Sequence, residues 1–132
     1  MCSLDKNGNI AAGTSTGGMT NKRYDRIGDS PVIGAGTFAD NLTCGVSATG
    51  HGEFFIRFTV ARDIEAMMEY GGYTLEEAGE KIINEKLVEK GGTGGVVALD
   101  RYGNISMPFN TSGMYRGWRK PGEQYVGIYK GE

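Results

Sequence analysis

Apolar residues recur at helical spacing in two adjacent segments near the middle of the chain. Residues 53–70 carry a broad apolar stripe with the charged residues mostly off it, which predicts an amphipathic helix ended by Gly71-Gly72. Thr74 and Glu77 have the spacing of a capping box and predict a second helix to about residue 90. Its apolar face would contain Leu75, Ala78, Ile82, Ile83 and Leu87.

Short apolar or alternating segments before and after these helices predict β-strands. They cover residues 2–5, 10–14, 32–38, 44–48, 96–100, 104–107 and 125–129. Asn7-Gly8 lies between the first two and predicts a type I′ hairpin turn, in which both central residues need a positive φ. Strands on both sides of a helix pair predict an α/β (α+β) fold, and 132 residues fit a single domain, 1–132.

A second hairpin pattern repeats the first at a shift of 95 residues. Leu4, Asp5, Gly8, Asn9 and Ile10 recur as Leu99, Asp100, Gly103, Asn104 and Ile105, and the repeat continues from Thr16, Gly18 and Met19 to Thr111, Gly113 and Met114. We expect two similar strand pairs in one or two sheets. Residues equivalent to Thr93-Gly94-Gly95 would precede Met1, so we also expect the first strand to lack its beginning.

Composition and charge narrow the possible functions. The 23 glycines follow no collagen period, which indicates tight turns and close backbone contacts in an ordered fold. A net charge of −2 provides no basic surface for nucleic acid, and no apolar run approaches the roughly 18 residues that span a bilayer. Two cysteines and one histidine predict neither a disulfide framework nor a zinc site, and we expect a reducing, cytoplasmic setting.

Residues 13–31 form the most polar and glycine-rich stretch of the chain. Gly13-Thr14-Ser15-Thr16-Gly17-Gly18-Met19 precedes a basic run that ends at Arg26, and Gly28-Asp29-Ser30-Pro31 follows. Such a loop can bring backbone N–H groups, hydroxyls and a guanidinium close to a small polar ligand. On composition alone, an ordinary surface loop is the favoured interpretation.

The order and spacing of several motifs resemble one enzyme family over the whole chain. The motifs are the two just described, Asn21-Lys22, Gly34-Ala35-Gly36, Thr49-Gly50-His51-Gly52-Glu53 and residues 108–116. Together they closely resemble the β-subunit of plant-type L-asparaginases, or isoaspartyl peptidases, which are threonine-type N-terminal-nucleophile hydrolases. Glycosylasparaginase shares two of the motifs and remains an alternative, although residues 16–22 favour the asparaginase branch.

The resemblance implies a fold, partners and substrates. This chain would supply half of a four-layer αββα sandwich, and an α-subunit cleaved from the same precursor would supply the other half. Two such heterodimers would form an (αβ)2 heterotetramer that hydrolyses the side-chain amide of L-asparagine and β-aspartyl (isoaspartyl) dipeptides. The family needs no catalytic cofactor, and its structural sodium or potassium site lies mainly in the α-subunit.

The nucleophile that the resemblance implies is the N-terminal threonine of the β-subunit, with its own α-amine as base. Alignment on Leu4-Asp5 places this threonine three residues before Met1. Cys2 and Ser3 lie four and five positions further along the strand, roughly 13–16 Å away, and cannot replace it. The chain alone would then be inactive, and a catalytically dead β-subunit that only binds substrate is the alternative function.

Three residues match catalytic positions of the family. Thr16 matches a threonine whose hydroxyl bonds to the nucleophile, and its alternative role is that of a turn hydroxyl. The Thr49 hydroxyl and the Gly50 N–H match the oxyanion hole, which also contacts substrate. His51 lies where the family varies, and we expect a turn histidine there rather than a general base.

Three further residues match substrate-binding positions. Arg26 matches the arginine that grips the substrate α-carboxylate by a planar two-point contact. Asp29 matches the residue that pairs with the α-ammonium, and Gly52 matches a backbone carbonyl beside the same amine. Without the resemblance, Arg26 would be read as a solvated charge and Asp29 as a turn or helix cap.

Overall fold

Two seven-residue antiparallel strands form the centre of the main sheet. The computed structural model describes all 132 residues, with β3 (Thr37–Ala39), β4 (Cys44–Gly50), β5 (Gly94–Asp100) and β6 (Ile105–Ser106) in the order β3-β4-β5-β6. The central register runs from Cys44 opposite Asp100 to Gly50 opposite Gly94. The two glycines therefore lie opposite each other where the β4–β5 ladder ends.

One face of this sheet is covered by helices. They are α1 (Gly52–Arg57), α2 (Val60–Gly71) and α3 (Leu75–Glu80), which continues through a π-helical segment (Lys81–Lys86) into α4 (Leu87–Glu89). The core lies between the helices and the sheet, where Val46 and Val96 pack among Phe55, Ile64 and Ile83. Alternate strand residues point into this core because successive side chains of a strand face opposite sides.

The other face is covered by a two-stranded sheet of β1 (Cys2–Leu4) and β2 (Ile10–Ala12). A Cβ atom on Gly45 would lie only 2.7 Å from Ile10 Cγ2, so the missing side chain lets the two sheets approach closely. Cys2 Sγ donates to the Val97 carbonyl at 3.3 Å. Residues 44–48 therefore lie in a sheet that is covered on both faces.

The predicted first helix is two helices. Thr59 separates α1 from α2 in a left-handed conformation, with φ 44° and ψ 51°, which is unfavourable for a β-branched residue. The break turns the start of α2 so that the N–H groups of Ala61 and Arg62 donate to the Ala35 and Gly34 carbonyls at 3.1 and 2.8 Å. Apolar periodicity continues across residues 58–59, and it therefore conceals this change of direction.

The second predicted helix is confirmed in its bounds and its capping box. Thr74 Oγ1 accepts from Glu77 N–H, Glu77 Oε2 accepts from Thr74 N–H, and the five predicted core residues are buried. Its π-helical segment was not predicted. There, Leu87 N–H reaches the Ile82 carbonyl five residues back, and the Asn110 side-chain amide donates to the Ile83 carbonyl at 2.9 Å.

The repeated hairpins have the same turn, but it is not type I′. In the first turn only Gly8 has a positive φ (84°). Its N–H donates to the Asp5 carbonyl, which closes a four-residue turn from Asp5 to Gly8. Asp5 Oδ1 also accepts from Asn9 N–H, which fixes the turn from the side chain. Asp100 makes the equivalent bonds around Gly103 (φ 81°) in the β5–β6 hairpin.

One strand prediction was wrong over most of its length, and one strand was missed. Residues 32–36 form turns, because Gly34 has φ 90° and the Val32 carbonyl accepts from the N–H groups of Ala35 and Gly36; only Thr37–Ala39 pairs as β3. The C-terminal segment forms a separate hairpin of β7 (Arg116–Lys120) and β8 (Glu123–Gly127), and β7 was not predicted. The sequence pattern does not indicate β7, because this strand contains Arg116, Arg119 and Lys120 and its apolar content is low.

The mixed α/β architecture agrees with the predicted half of an αββα sandwich, with one helical layer and two β-layers. None of the helices combines the length and the apolar character that crossing a bilayer would require.

The two hairpin aspartates allow a matched test of burial. Asp100 is 5% exposed and Asp5 is fully exposed, although both carboxylates accept the same three hydrogen bonds. We expect Asp100→Ala to lower the free energy of unfolding by about 2 kcal/mol, because it removes three hydrogen bonds to a buried carboxylate. Asp5→Ala should cost less, because water replaces its acceptor. Urea unfolding of both variants checks this, and equal losses would contradict it.

Candidate active site

A cavity of about 360 Å³ opens where β4 ends and β5 begins, and the loop of residues 13–31 forms part of its wall. All six residues singled out from the sequence lie on its wall: Thr16, Arg26, Asp29, Thr49, Gly50 and Gly52. They come from three separate stretches of the chain, which the fold brings to one place. His51 also lines the cavity.

The loop is attached to the main sheet through hydroxyl groups. Thr14 Oγ1 lies 2.7 Å from Ser47 Oγ on β4 and donates to the Gly36 carbonyl at 2.9 Å. Two residues later, Thr16 is exposed, and its Oγ1 accepts from Gly18 N–H at 2.9 Å. The contacts of Thr14 therefore anchor the loop and hold Thr16 at the rim of the cavity.

Asp29 is the buried charge of the site. Its side chain is 5% exposed, and its Oδ2 has no hydrogen-bond partner. Burial raises the pKa of Asp29 above the usual aspartate value, the positive charge of Arg26 opposes this rise, and Glu53 adds to it. A buried carboxylate oxygen without a partner can accept hydrogen bonds from a cationic group of a ligand.

Glycines make room for the Asp29 carboxylate. A Cβ atom on Gly36 would lie 2.8 Å from Asp29 Oδ2, and one on Gly52 would lie 2.9 Å from Oδ1. Gly36 belongs to the same turn whose Gly34 and Ala35 carbonyls accept from the start of α2. The break at Thr59 thus supports the position of Asp29 through this turn.

The end of β4 lies very close to the start of β5. Cβ atoms on Gly50 (φ 150°) or Gly94 (φ 152°) would overlap the carbonyl oxygens of Thr93 or Thr49, so both positions need glycine. Asn110 secures this edge, because its Oδ1 accepts from Gly94 N–H at 2.8 Å. Thr49 and Gly50 are consequently exposed at a rigid strand end beside the cavity.

His51 is bound to the same edge. Its N–H donates to the Thr93 carbonyl at 2.9 Å, and its Nδ1 lies 2.8 Å from Thr93 Oγ1. It occupies the position before α1, which fits the turn role expected from the sequence.

Sequence reasoning did not select several residues of the cavity wall: Ser15, Met19, Lys22, Ser30, Thr93 and Thr111. Thr111 could have been found, because it is the counterpart of Thr16 in the internal repeat. Lys22 stands in a basic run, where a solvated charge is the ordinary interpretation. No group of three or more His, Cys, Asp or Glu side chains is placed to hold a metal ion.

Comparison with known proteins shows the family of the chain. The family model described as Asparaginase matches residues 1–128. This chain belongs to the asparaginase family. The family resemblance noted from the motifs is thereby confirmed.

Relatives of this asparaginase-family chain carry the name isoaspartyl peptidase, either alone or combined with L-asparaginase. It is 55% identical over 128 residues to the isoaspartyl peptidase of Escherichia coli K12, covering 96% of the chain and 40% of that protein. It is 41% identical over 129 residues to the isoaspartyl peptidase/L-asparaginase of Xenopus laevis, covering 98% of the chain and 41% of that protein. The chain thus spans about two-fifths of the length of these relatives.

The burial of Asp29 predicts how stability depends on pH. Because the pKa of Asp29 is raised in the folded state, the folded protein binds this proton more tightly than the unfolded chain does. The carboxylate therefore lowers the free energy of unfolding as pH rises through its folded pKa. We expect Asp29→Asn to be more stable than the parent at pH 7, with a smaller difference at about pH 3, below the usual aspartate pKa of about 3.9.

Urea unfolding at both pH values measures this difference. Asp25→Asn, at an exposed position of the same loop, is the matched control for the removal of one carboxylate. A loss of stability in Asp29→Asn at pH 7 would show that Asp29 stabilises the fold instead.

Proposed function

We propose that this chain is the β-subunit-like half of an amidohydrolase. The enzyme would hydrolyse the side-chain amide of L-asparagine and β-aspartyl dipeptides through a threonine acyl-enzyme. The family match and the names of the relatives support the general activity. The roles of individual residues and the threonine nucleophile are part of the proposal.

The register of the β1–β2 hairpin is the main structural support for this proposal. Cys2 pairs with Ala12, and Met1 and Gly13 exchange two hydrogen bonds, of 2.7 and 2.9 Å. If β1 were continued backwards in the same register, the next three positions would lie opposite Thr14, Ser15 and Thr16 in turn. The threonine expected three residues before Met1 would then face Thr16, and directly opposed residues of antiparallel strands have Cβ atoms roughly 5 Å apart.

Arg26 and Asp29 suit the zwitterionic end of an aspartyl substrate. Arg26 has no ion pair with an acidic side chain of the chain, and its guanidinium lies close enough to Asp29 to influence the pKa of that carboxyl. A ligand α-carboxylate would bind Arg26, and its α-ammonium would bind Asp29 Oδ2. The ammonium would also supply the partner that the buried oxygen lacks.

The reaction would proceed in two steps. The threonine hydroxyl adds to the side-chain carbonyl carbon, its proton passes to the α-amine, and the carbonyl oxygen becomes an oxyanion. The Thr49 hydroxyl and Gly50 N–H, held at the end of β4, would donate to this oxyanion. Collapse breaks the C–N bond and releases ammonia or an amine that takes up the proton. Water then hydrolyses the ester, which releases aspartate and restores the hydroxyl of the N-terminal threonine.

We also propose that an α-subunit from the same precursor completes the site, and that two heterodimers associate. Supporting this, large apolar side chains are exposed on the loop of residues 13–31, in the turn after it and in the C-terminal segment: Tyr24, Ile27, Ile33, Tyr115 and Val126. Two free cysteines suit a reducing compartment, and we place the enzyme in the cytoplasm.

N-terminal sequencing tests the nucleophile. For protein purified as the cell produces it, we expect a mature chain that starts with threonine three residues before Met1, beside a second polypeptide. Intact-mass measurement checks both masses. A mature chain that starts elsewhere while ammonia is still released from L-asparagine would exclude the threonine mechanism.

Arg26→Lys tests substrate binding. Lysine keeps the charge but not the two-point contact with a carboxylate, so we expect kcat/KM for L-asparagine to fall roughly 10- to 100-fold, mainly through KM. Arg23→Lys is the matched control, because Arg23 lies on the same loop outside the cavity wall. Ammonia release from both variants measures the effect.

Equal activity of the two variants would remove Arg26 from the site. Aspartate binding without any ammonia release by the unmodified protein would instead support a chain that only binds substrate.

A further inference from the structure

Lys22 supplies a second positive charge to the cavity, and it has no partner in the chain. It lines the cavity wall, and none of the ion pairs or side-chain hydrogen bonds of the structure involves its ammonium group. Its side chain lies along Gly18, where a Cβ atom would be 2.6 Å from Lys22 Cε and 2.7 Å from Nζ. Glycine at position 18 therefore lets Lys22 lie against the loop.

The two positive charges have different neighbours on the cavity wall. Lys22 lies against Gly18, whose N–H donates to Thr16 Oγ1, so its ammonium is close to Thr16. Arg26 lies beside Gly28 and Asp29, and Asp29 lies against Gly52. In the proposed reaction, Thr16 faces the nucleophile and the departing group, and Arg26 and Asp29 hold the aspartyl part.

Charge balance separates the two proposed substrates. L-Asparagine carries one carboxylate and one ammonium, which Arg26 and Asp29 would satisfy. A β-aspartyl dipeptide carries a further carboxylate on the residue that leaves. Lys22 is the cation of the cavity wall that remains available for it.

We propose that Lys22 binds the carboxylate of the leaving amino acid and thereby favours β-aspartyl dipeptides over substrates without that carboxylate. This inference rests on the proposed function. Lysine suits the task, because its compact charge on a flexible four-carbon stem can follow a carboxylate whose position changes with the leaving residue. The side chain of the leaving residue would point out of the open cavity and would contribute little to selectivity.

Lys22→Gln and its matched control Arg23→Gln test the proposal in the complete enzyme. The probes are β-aspartyl-leucine, the same dipeptide with a C-terminal carboxamide, and L-asparagine. We expect the ratio of kcat/KM for the acid to that for the carboxamide to fall about tenfold in Lys22→Gln, mainly through KM. The ratio should not change in Arg23→Gln, and Lys22→Arg should restore most of it.

An unchanged ratio in Lys22→Gln, or equal losses on all three probes, would overturn the role of Lys22 while leaving the proposed function in place. A parent enzyme that hydrolyses none of the probes would overturn the proposed function, and this inference with it.

Salt dependence of the parent enzyme provides a measurement that does not need a folded variant. Screening weakens attraction between exposed charges, so KM for the acid should rise with added sodium chloride more steeply than KM for the carboxamide. Equal slopes would contradict the proposal.

Discussion

Asp29 loses most of its contact with water, and one of its carboxylate oxygens gains no hydrogen-bond partner within the chain. Taking a carboxylate out of water without pairing it is costly, and the surrounding structure must hold it there. Gly36 and Gly52 leave the space, and the start of α2 supports the turn that carries Gly36. The strained Thr59 gives α2 the direction that this support requires.

A second set of contacts fixes the opposite wall. Asn110 joins the π-helical segment to β5 by donating to the Ile83 carbonyl and accepting from Gly94 N–H. Gly94 lies against Gly50, so the position of the strand end depends on the helix behind it. Thr49 and Gly50, which line this wall, are therefore held by a strand that a helix supports, and this favours a constant geometry on this side of the cavity.

Different parts of the loop of residues 13–31 have different roles. Thr14 ties it to β4, Lys22 lies close to Thr16, and Arg26 lies close to Asp29. A loop of glycines, hydroxyls and basic residues would be unremarkable as a surface feature. Its charges become informative because an unpaired cation and an unpaired carboxylate oxygen line one cavity.

Local chemistry determined much of this protein. The capping box of Thr74, the glycines that end α2 and follow α4, and the positions of the repeated Asp-x-x-Gly-Asn turns, although not the turn type, depend on a few neighbouring residues, so the sequence alone predicts them. Motif order likewise predicted the family and six residues of the cavity wall. The tertiary structure decided the break at Thr59, the turns at 32–36, the β7 strand and the place of Lys22. The break at Thr59, the turns at 32–36 and the place of Lys22 depend on partners distant in the chain, or on a missing partner, which hydrophobic periodicity does not encode. β7 pairs locally with β8, but its basic residues leave it without an apolar pattern.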